Sequence, residues 1–107
     1  METIYFYLFE RIVKGDFRIV EIIRSASAGT MESSDAYVEI EPAQTLQVEL
    51  ESVVQEQFGD EIRRVVGEVL QESGVEKANV RVIDRGALEC VIRARVETAI
   101  LRGREEA

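Results

Sequence analysis

The apolar stripe that begins at Val54 limits the fold of this chain more than any other feature. Val54, Phe58, Ile62, Val65, Val66 and Val69 recur at spacings of three and four, while Glu56, Asp60, Arg63, Arg64 and Glu68 fall outside the stripe. That period marks an amphipathic helix with one face committed to a core, so a second layer must cover it. Ser52 stands at the N-cap with Gln55 three residues on, the capping-box spacing that satisfies two backbone donors. Gly74 is placed to close the helix as a C-cap. Gly59 and Gly67 each cost about 1 kcal/mol relative to alanine in a helix interior, which either weakens the case for a helix there or marks close packing against a neighbour. Phe58, in mid-stripe, is the expected core anchor.

The partner layer reads as β-structure. Arg18 to Ile23 is rich in Ile and Val and alternates loosely, a strand candidate that stops at Arg24. Residues 24–35 then hold mainly small and polar side chains, with too little apolar area to offset the entropy of ordering them, and are expected to form a mobile arm. Tyr37, Val38 and Ile40 form one strand candidate. Leu46, Val48 and Leu50, alternating with Gln47, Glu49 and Glu51, form a second, and Pro42 between them predicts a hairpin. Val80, Val82 and Ile83 make another strand, stopped by Asp84-Arg85-Gly86. From Ala87 the residues fit both periods at first, yet only the helical one continues to Ile100, so a helix is expected from about Gly86 to Arg102, ended by Gly103. The sum is an α+β fold, a small two-layer domain in which a mostly antiparallel sheet of about four short strands carries two helices on one face.

Composition removes most functions. The 107 residues suit one domain with a single modest core. With 21 acidic against 13 basic side chains, the net charge of -8 repels phosphate backbones and anionic lipid, so neither nucleic acid nor a membrane is an expected partner. The same acidity suits transient docking on basic patches of larger proteins. No apolar run approaches the roughly 20 residues of a membrane-spanning helix. The aromatic opening Ile4 to Phe9 is too short for one, and it lacks the basic leader and cleavage site of a signal peptide. Cys90 is the sole cysteine, which excludes an internal disulfide and makes a reducing cytoplasm the expected compartment. The absence of histidine excludes imidazole catalysis and nearly excludes a zinc site.

The residues that remain are individually unremarkable in chemistry. Glu32 and Asp35 flank Ser33 and Ser34, a pattern usual in a solvated turn or helix cap. Cys90 is expected as a small buried hydrophobe. Arg93 and Arg95 could hold phosphate, but Glu89 and Glu97 at four-residue spacing favour surface ion pairs.

Three segments carry a more specific signal. In order they are Ala28-Gly29-Thr30-Met31-Glu32-Ser33-Ser34-Asp35, then Gln57-Phe58-Gly59-Asp60-Glu61-Ile62-Arg63, then Asp84-Arg85-Gly86-Ala87-Leu88-Glu89-Cys90-Val91-Ile92-Arg93-Ala94-Arg95. Together they resemble the acyl carrier protein of citrate lyase, its gamma subunit, over about the last four fifths of the chain. Met31 stands where that family usually has leucine.

The resemblance implies that Ser33, directly after Glu32, bears 2'-(5''-phosphoribosyl)-3'-dephospho-CoA through a phosphodiester. Ser34 is then a neighbour that hydrogen-bonds the phosphate or caps what begins at Asp35. The implied partners are a transferase (alpha) subunit that exchanges acetyl for citrate, a lyase (beta) subunit that splits the citryl thioester, and the transferase that loads the prosthetic group. The carrier itself makes no bonds, and a tether on an arm at 24–35 would raise the local concentration of its thioester for two active sites in turn. Residues 20–107 correspond to the carrier domain. The family begins near Val20, so residues 1–19 are expected to be a non-native extension. A GTG start codon at Val20, preceded by a purine-rich run encoding Lys14-Gly15-Asp16, would account for it. The alternatives are the malonate decarboxylase type of carrier, with a similar prosthetic group, and a non-carrier interaction subunit in which Ser33 is an ordinary loop serine. The carriers of fatty-acid synthesis match poorly, because no Asp-Ser-Leu occurs.

Overall fold

A computed structural model describes residues 19–105. The elements run β1 (Ala26–Gly29), β2 (Ala36–Glu41), β3 (Leu46–Ser52), α1 (Gln55–Glu72), β4 (Ala78–Asp84) and α2 (Glu89–Arg104). They form the expected α+β domain, with a four-stranded sheet in the order β1-β2-β4-β3. β1 with β2 and β2 with β4 are antiparallel, while β3 and β4 run parallel. Parallel neighbours need a crossover, and α1 supplies it.

The predicted hairpin between β2 and β3 does not form, because β4 lies between them. Burial explains the order. In β4, Ala78, Val80 and Val82 are all 2% exposed or less, which suits a central strand, whereas β3 presents Glu49 and Glu51 to solvent and only half-buries Val48 and Leu50. The strand with more water-excluded apolar surface takes the centre, and the acidic one takes the edge.

Val38 and Ile40 of β2 and Val80 and Val82 of β4 pack with Ile62, Val65, Val66, Val69 and Leu70 of α1 and with Ile92, Val96, Ala99 and Ile100 of α2. Leu70 joins the expected stripe, while Phe58 leaves it. Phe58 is 52% exposed and borders an apolar hollow of about 310 Å³ with Val54, Ile62, Ala87 and Ile92. It is not a core anchor, because the sheet side of α1 is filled from Ile62 onward and among the described residues nothing closes over Phe58.

The helix ends repay comparison with their signals. Ser52 is not an N-cap. It closes β3, its hydroxyl donating to Asp84 Oδ2 at 2.8 Å and accepting from the Val54 N–H at 3.1 Å, and α1 starts at Gln55 with no side-chain cap. Gly74 does close α1, with φ +80°, its N–H bonding the Gln71 carbonyl at 3.1 Å and the Val75 N–H bonding that of Leu70 at 2.9 Å, the two bonds of a Schellman motif. Gly103 does not end α2. It is buried inside the helix, where an added Cβ would lie 3.1 Å from Ile40 Cγ2, and its carbonyl accepts from the N–H groups of Ile23 and Arg24.

Within the expected strand over 18–23, the described residues make only one parallel bridge, Val20 to Val75, and bury Ile22. The strand instead falls at Ala26–Gly29, inside the segment read as an arm. The reason is backbone pairing: Ala26, Ser27, Ala28 and Gly29 face Ile40, Glu39, Val38 and Tyr37, so small side chains suffice beside a strong partner strand. The expectation for residues 1–19 falls, but for Ile19, outside the described residues.

Candidate functional site: the serine turn

The turn that joins β1 to β2 is built by two constraints on small residues. Gly29 has φ +94°, and an added Cβ would sit 1.9 Å from the Ala36 carbonyl oxygen, so only glycine lets the chain leave β1 this close to β2. Beyond it, the Asp35 N–H bonds the Glu32 carbonyl at 3.1 Å, closing a four-residue turn with Ser33 and Ser34 at its centre. Ser34 carries φ +67°, an uncommon value for a residue with a side chain. Glu32, Ser33 and Ser34 are all exposed. Among the described residues nothing bonds the Ser33 hydroxyl.

Beneath the turn lies Asp35. Its carboxylate accepts from the Thr30 hydroxyl at 2.6 Å, from the Ala36 N–H at 2.7 Å, and from Arg95 through Nε and Nη2 at 3.0 Å each. These bonds, that of Thr30 foremost and those of Arg95 and Ala36 after it, hold the carboxyl well below the usual carboxylate range, against a smaller opposing effect of desolvation. The turn is therefore charged at its base and tied to α2.

A second support comes from the loop after β4. The Ser34 N–H bonds the Arg85 carbonyl at 2.8 Å, and the Arg85 N–H bonds the Asp35 carbonyl at 2.9 Å. That loop is fixed by Asp84, 1% exposed, whose Oδ1 accepts from the N–H groups of Gly86 and Ala87 at 3.2 and 2.9 Å while Oδ2 accepts from Ser52. Asp84 thereby locks β3, β4 and the approach to α2 together. On α1, Glu68, also buried, pairs with Arg64 and, at 2.5 Å, with Arg93 of α2.

The three marked segments meet at this end of the domain. The first and third join through Ser34 with Arg85 and through Asp35 with Arg95. The second lines the apolar hollow with Phe58 and Ile62 opposite Gly86, Ala87 and Ile92 of the third.

The arginines and the cysteine differ from expectation. Arg93 does approach Glu89, at 3.5 Å, but its shorter contact is to buried Glu68, and Arg95 pairs with Asp35 rather than with a neighbour on its own helix. Both contacts bridge elements, which helical spacing does not encode. Cys90 is exposed rather than buried, because it sits in the first turn of α2 facing away from the core. Asp84 and Glu68 are the structural carboxylates that pattern reading missed. An acidic residue in a strand of Val and Ile, and one within the apolar stretch Val65–Leu70, were the available signals. Among the described residues no group of three or more acidic or cysteine side chains could hold a metal ion, and no helix is long and apolar enough to cross a membrane.

What the site offers chemically is a pair of exposed serine hydroxyls, those of Ser33 and Ser34, neither bonded to another described residue, on a braced turn. Residues 23–103 match the acyl carrier family model described as malonate decarboxylase delta subunit (MdcD). The citrate lyase acyl carrier protein of Escherichia fergusonii is 52% identical over 89 residues, covering 81% of this chain and 92% of that one. Its counterparts from Klebsiella pneumoniae and Haemophilus influenzae are 51% and 46% identical, again across 81% of this chain and 92% of theirs. A chain of a Pseudomonas malonate decarboxylase hetero-tetramer, solved in complex with malonate, shares the fold with a TM-score of 0.68 at 20% identity, over 78% of this chain and 88% of that one. The chain is an acyl carrier domain. It belongs to the citrate lyase acyl carrier protein family, a non-catalytic subunit class whose members bear a prosthetic group.

Proposed function

We propose that Ser33 is the attachment point of a 2'-(5''-phosphoribosyl)-3'-dephospho-CoA group and that the chain serves a citrate lyase complex. The observation that carries this reading is the turn itself: Ser33 stands exposed at its centre with its hydroxyl unengaged, as is that of Ser34, over a backbone anchored through Glu32, Ser34, Asp35 and Arg85, and the choice of Ser33 over Ser34 rests on its place directly after Glu32 in the matched block. The residues fit a bulky phosphodiester. Its donor hydroxyl stands at the turn's centre, and the backbone beneath it is held by Thr30, Asp35 and Arg85, so a loading transferase meets a defined shape. When bound, such a group supplies a thiol that carries acetyl or citryl as a thioester while alpha and beta subunits exchange acetyl for citrate and cleave citryl to oxaloacetate.

This chain's contribution is to present and release. The turn projects from a rigid two-layer core, so the tether supplies the reach and the domain supplies the recognisable base. Ser34, at φ +67° with its N–H occupied by Arg85, shapes the turn, and Glu32 closes it through its carbonyl. The local reading differs from a loose arm at 24–35 in where flexibility resides: Ala26–Gly29 is strand, and the reach belongs to the attached group.

The protein, loaded by its prosthetic-group transferase, is tested with citrate lyase alpha and beta subunits on citrate and with the corresponding malonate decarboxylase subunits on malonate. Turnover on citrate alone supports the proposal. Turnover on malonate alone would assign the chain to the malonate type, and an unloadable chain would make it an interaction subunit.

A further inference from the structure

We propose that Arg85 is the residue that binds the phosphodiester on Ser33; the assignment rests on the carrier reading above. Arg85 is joined to the turn by two backbone hydrogen bonds, its carbonyl accepting from Ser34 and its N–H donating to Asp35, at 2.8 and 2.9 Å. Ser34 and Asp35 thus share one backbone partner, the two-against-one arrangement of a β-bulge, which places Arg85 directly beside the turn, and Ser33 lies one Cα step of about 3.8 Å from Ser34. A phosphate on Ser33 is thus within reach of an arginine side chain whose own backbone cannot drift.

The charges around the turn select Arg85 over its neighbour. Arg95 also stands near the turn, but its Nε and Nη2 are both given to Asp35. Arg85 is exposed, and among the described residues no carboxylate pairs with it. Meanwhile Glu32, next to Ser33, would face the added negative charge in a chain whose net charge is already -8. A phosphodiester placed there without a cation would be repelled by the adjacent Glu32. A guanidinium matches phosphate oxygens with two parallel N–H donors, which lysine cannot reproduce. Arg85 therefore fixes the root of the tether while leaving its far end free.

The work Arg85 does for the fold is done by its backbone, which makes the side chain separable. Apo and loaded forms of the wild type, Arg85→Gln and Arg85→Lys are compared by thermal melting, and the phosphodiester is followed by ³¹P NMR. The apo proteins should melt within about 2 °C of one another. Loading should raise the wild-type melting temperature by about 4 °C or more. That rise should vanish in Arg85→Gln and return in part in Arg85→Lys, with a matching change in the ³¹P shift. An Arg85→Gln protein that keeps the full rise on loading would overturn the assignment. If the variant resists loading, the wild type alone decides: the Arg85 Nε–H resonance, identified by its loss in apo Arg85→Gln, should move on loading, and an unmoved resonance would sink the proposal. A wild type that takes up no added mass at all would remove the carrier reading itself, a result distinct from either.

Discussion

Arg95 of α2 grips Asp35 with both prongs of its guanidinium, Nε to Oδ1 and Nη2 to Oδ2 at 3.0 Å, across a sequence separation of 60 residues. This pair joins the base of the serine turn to the helix packed behind it. Planar two-point bonding of this kind is stronger and more directional than a single contact.

The pair sets an acid dependence. The Asp35 carboxyl is held below its ordinary value of 3.8, so its charged form is favoured in the folded state. A depressed carboxylate contributes stability that is present above the unfolded pKa and is lost as pH falls through that value toward the folded one. Asp35→Asn should therefore melt below the wild type at pH 7, and the gap should narrow steadily below about pH 4. Melting curves from pH 7 to pH 2 measure it, and a gap that widens in acid would contradict the sign.

Gly29 is the position that tolerates least. Any Cβ there would overlap the Ala36 carbonyl at 1.9 Å, and a side chain at φ +94° is strained in its own right. Gly29→Ala should cost at least about 1 to 3 kcal/mol from backbone strain, with the clash added. A melting temperature equal to that of the wild type would show that β1 and β2 separate more easily than their pairing implies.

Gly67 should behave in the opposite way. It lies inside α1, and an added Cβ would meet nothing within 4 Å. The close packing that would call for a glycine here is absent, so alanine brings helix propensity at no steric cost. Gly67→Ala should stabilise the domain by about 0.5 to 1 kcal/mol. That amounts to roughly 2 to 8 °C in melting temperature, and a decrease would reveal an unseen neighbour.

These positions show which parts of the structure the chain declares openly. The stripe from Ile62 to Val69 and the alternation in β2, β3 and β4 depend on residues close together in sequence, so periodicity reports them directly. The arrangement of strands does not. Pro42 marks a turn, but whether β3 then pairs with β2 depends on β4, a strand formed by residues some thirty positions later. Ser52 met every local rule for a helix cap, yet a buried carboxylate at Asp84 claimed its hydroxyl. β1 escaped notice because Ala26-Ser27-Ala28-Gly29 has no strand-forming side chains and is held by the pairing of its backbone with β2. For the candidate site, Glu32-Ser33-Ser34 stood out through the family resemblance, whereas the support from Asp35, Arg85 and Arg95 is tertiary and visible only once the blocks are folded together.

Phe58 illustrates the same gap and carries its own prediction. A fully buried phenylalanine would cost about 3 to 5 kcal/mol on truncation, but this one is 52% exposed. Phe58→Ala should cost about 1.5 to 2.5 kcal/mol, half of that range. Denaturant unfolding would show it, and a loss above about 4 kcal/mol would mean that the hollow beside Ala87 and Ile92 is closed in solution.

The location of the prosthetic group tests the central claim most directly. Ser33→Ala and Ser34→Ala carriers, each incubated with the loading transferase and its nucleotide substrate, are compared with the wild type by intact and tandem mass spectrometry. Wild type and Ser34→Ala should gain the group, with the modified fragment placing it on Ser33, and Ser33→Ala should remain unmodified while melting within about 2 °C of the wild type. A group found on Ser34, or a Ser33→Ala carrier that still accepts it, would contradict the account.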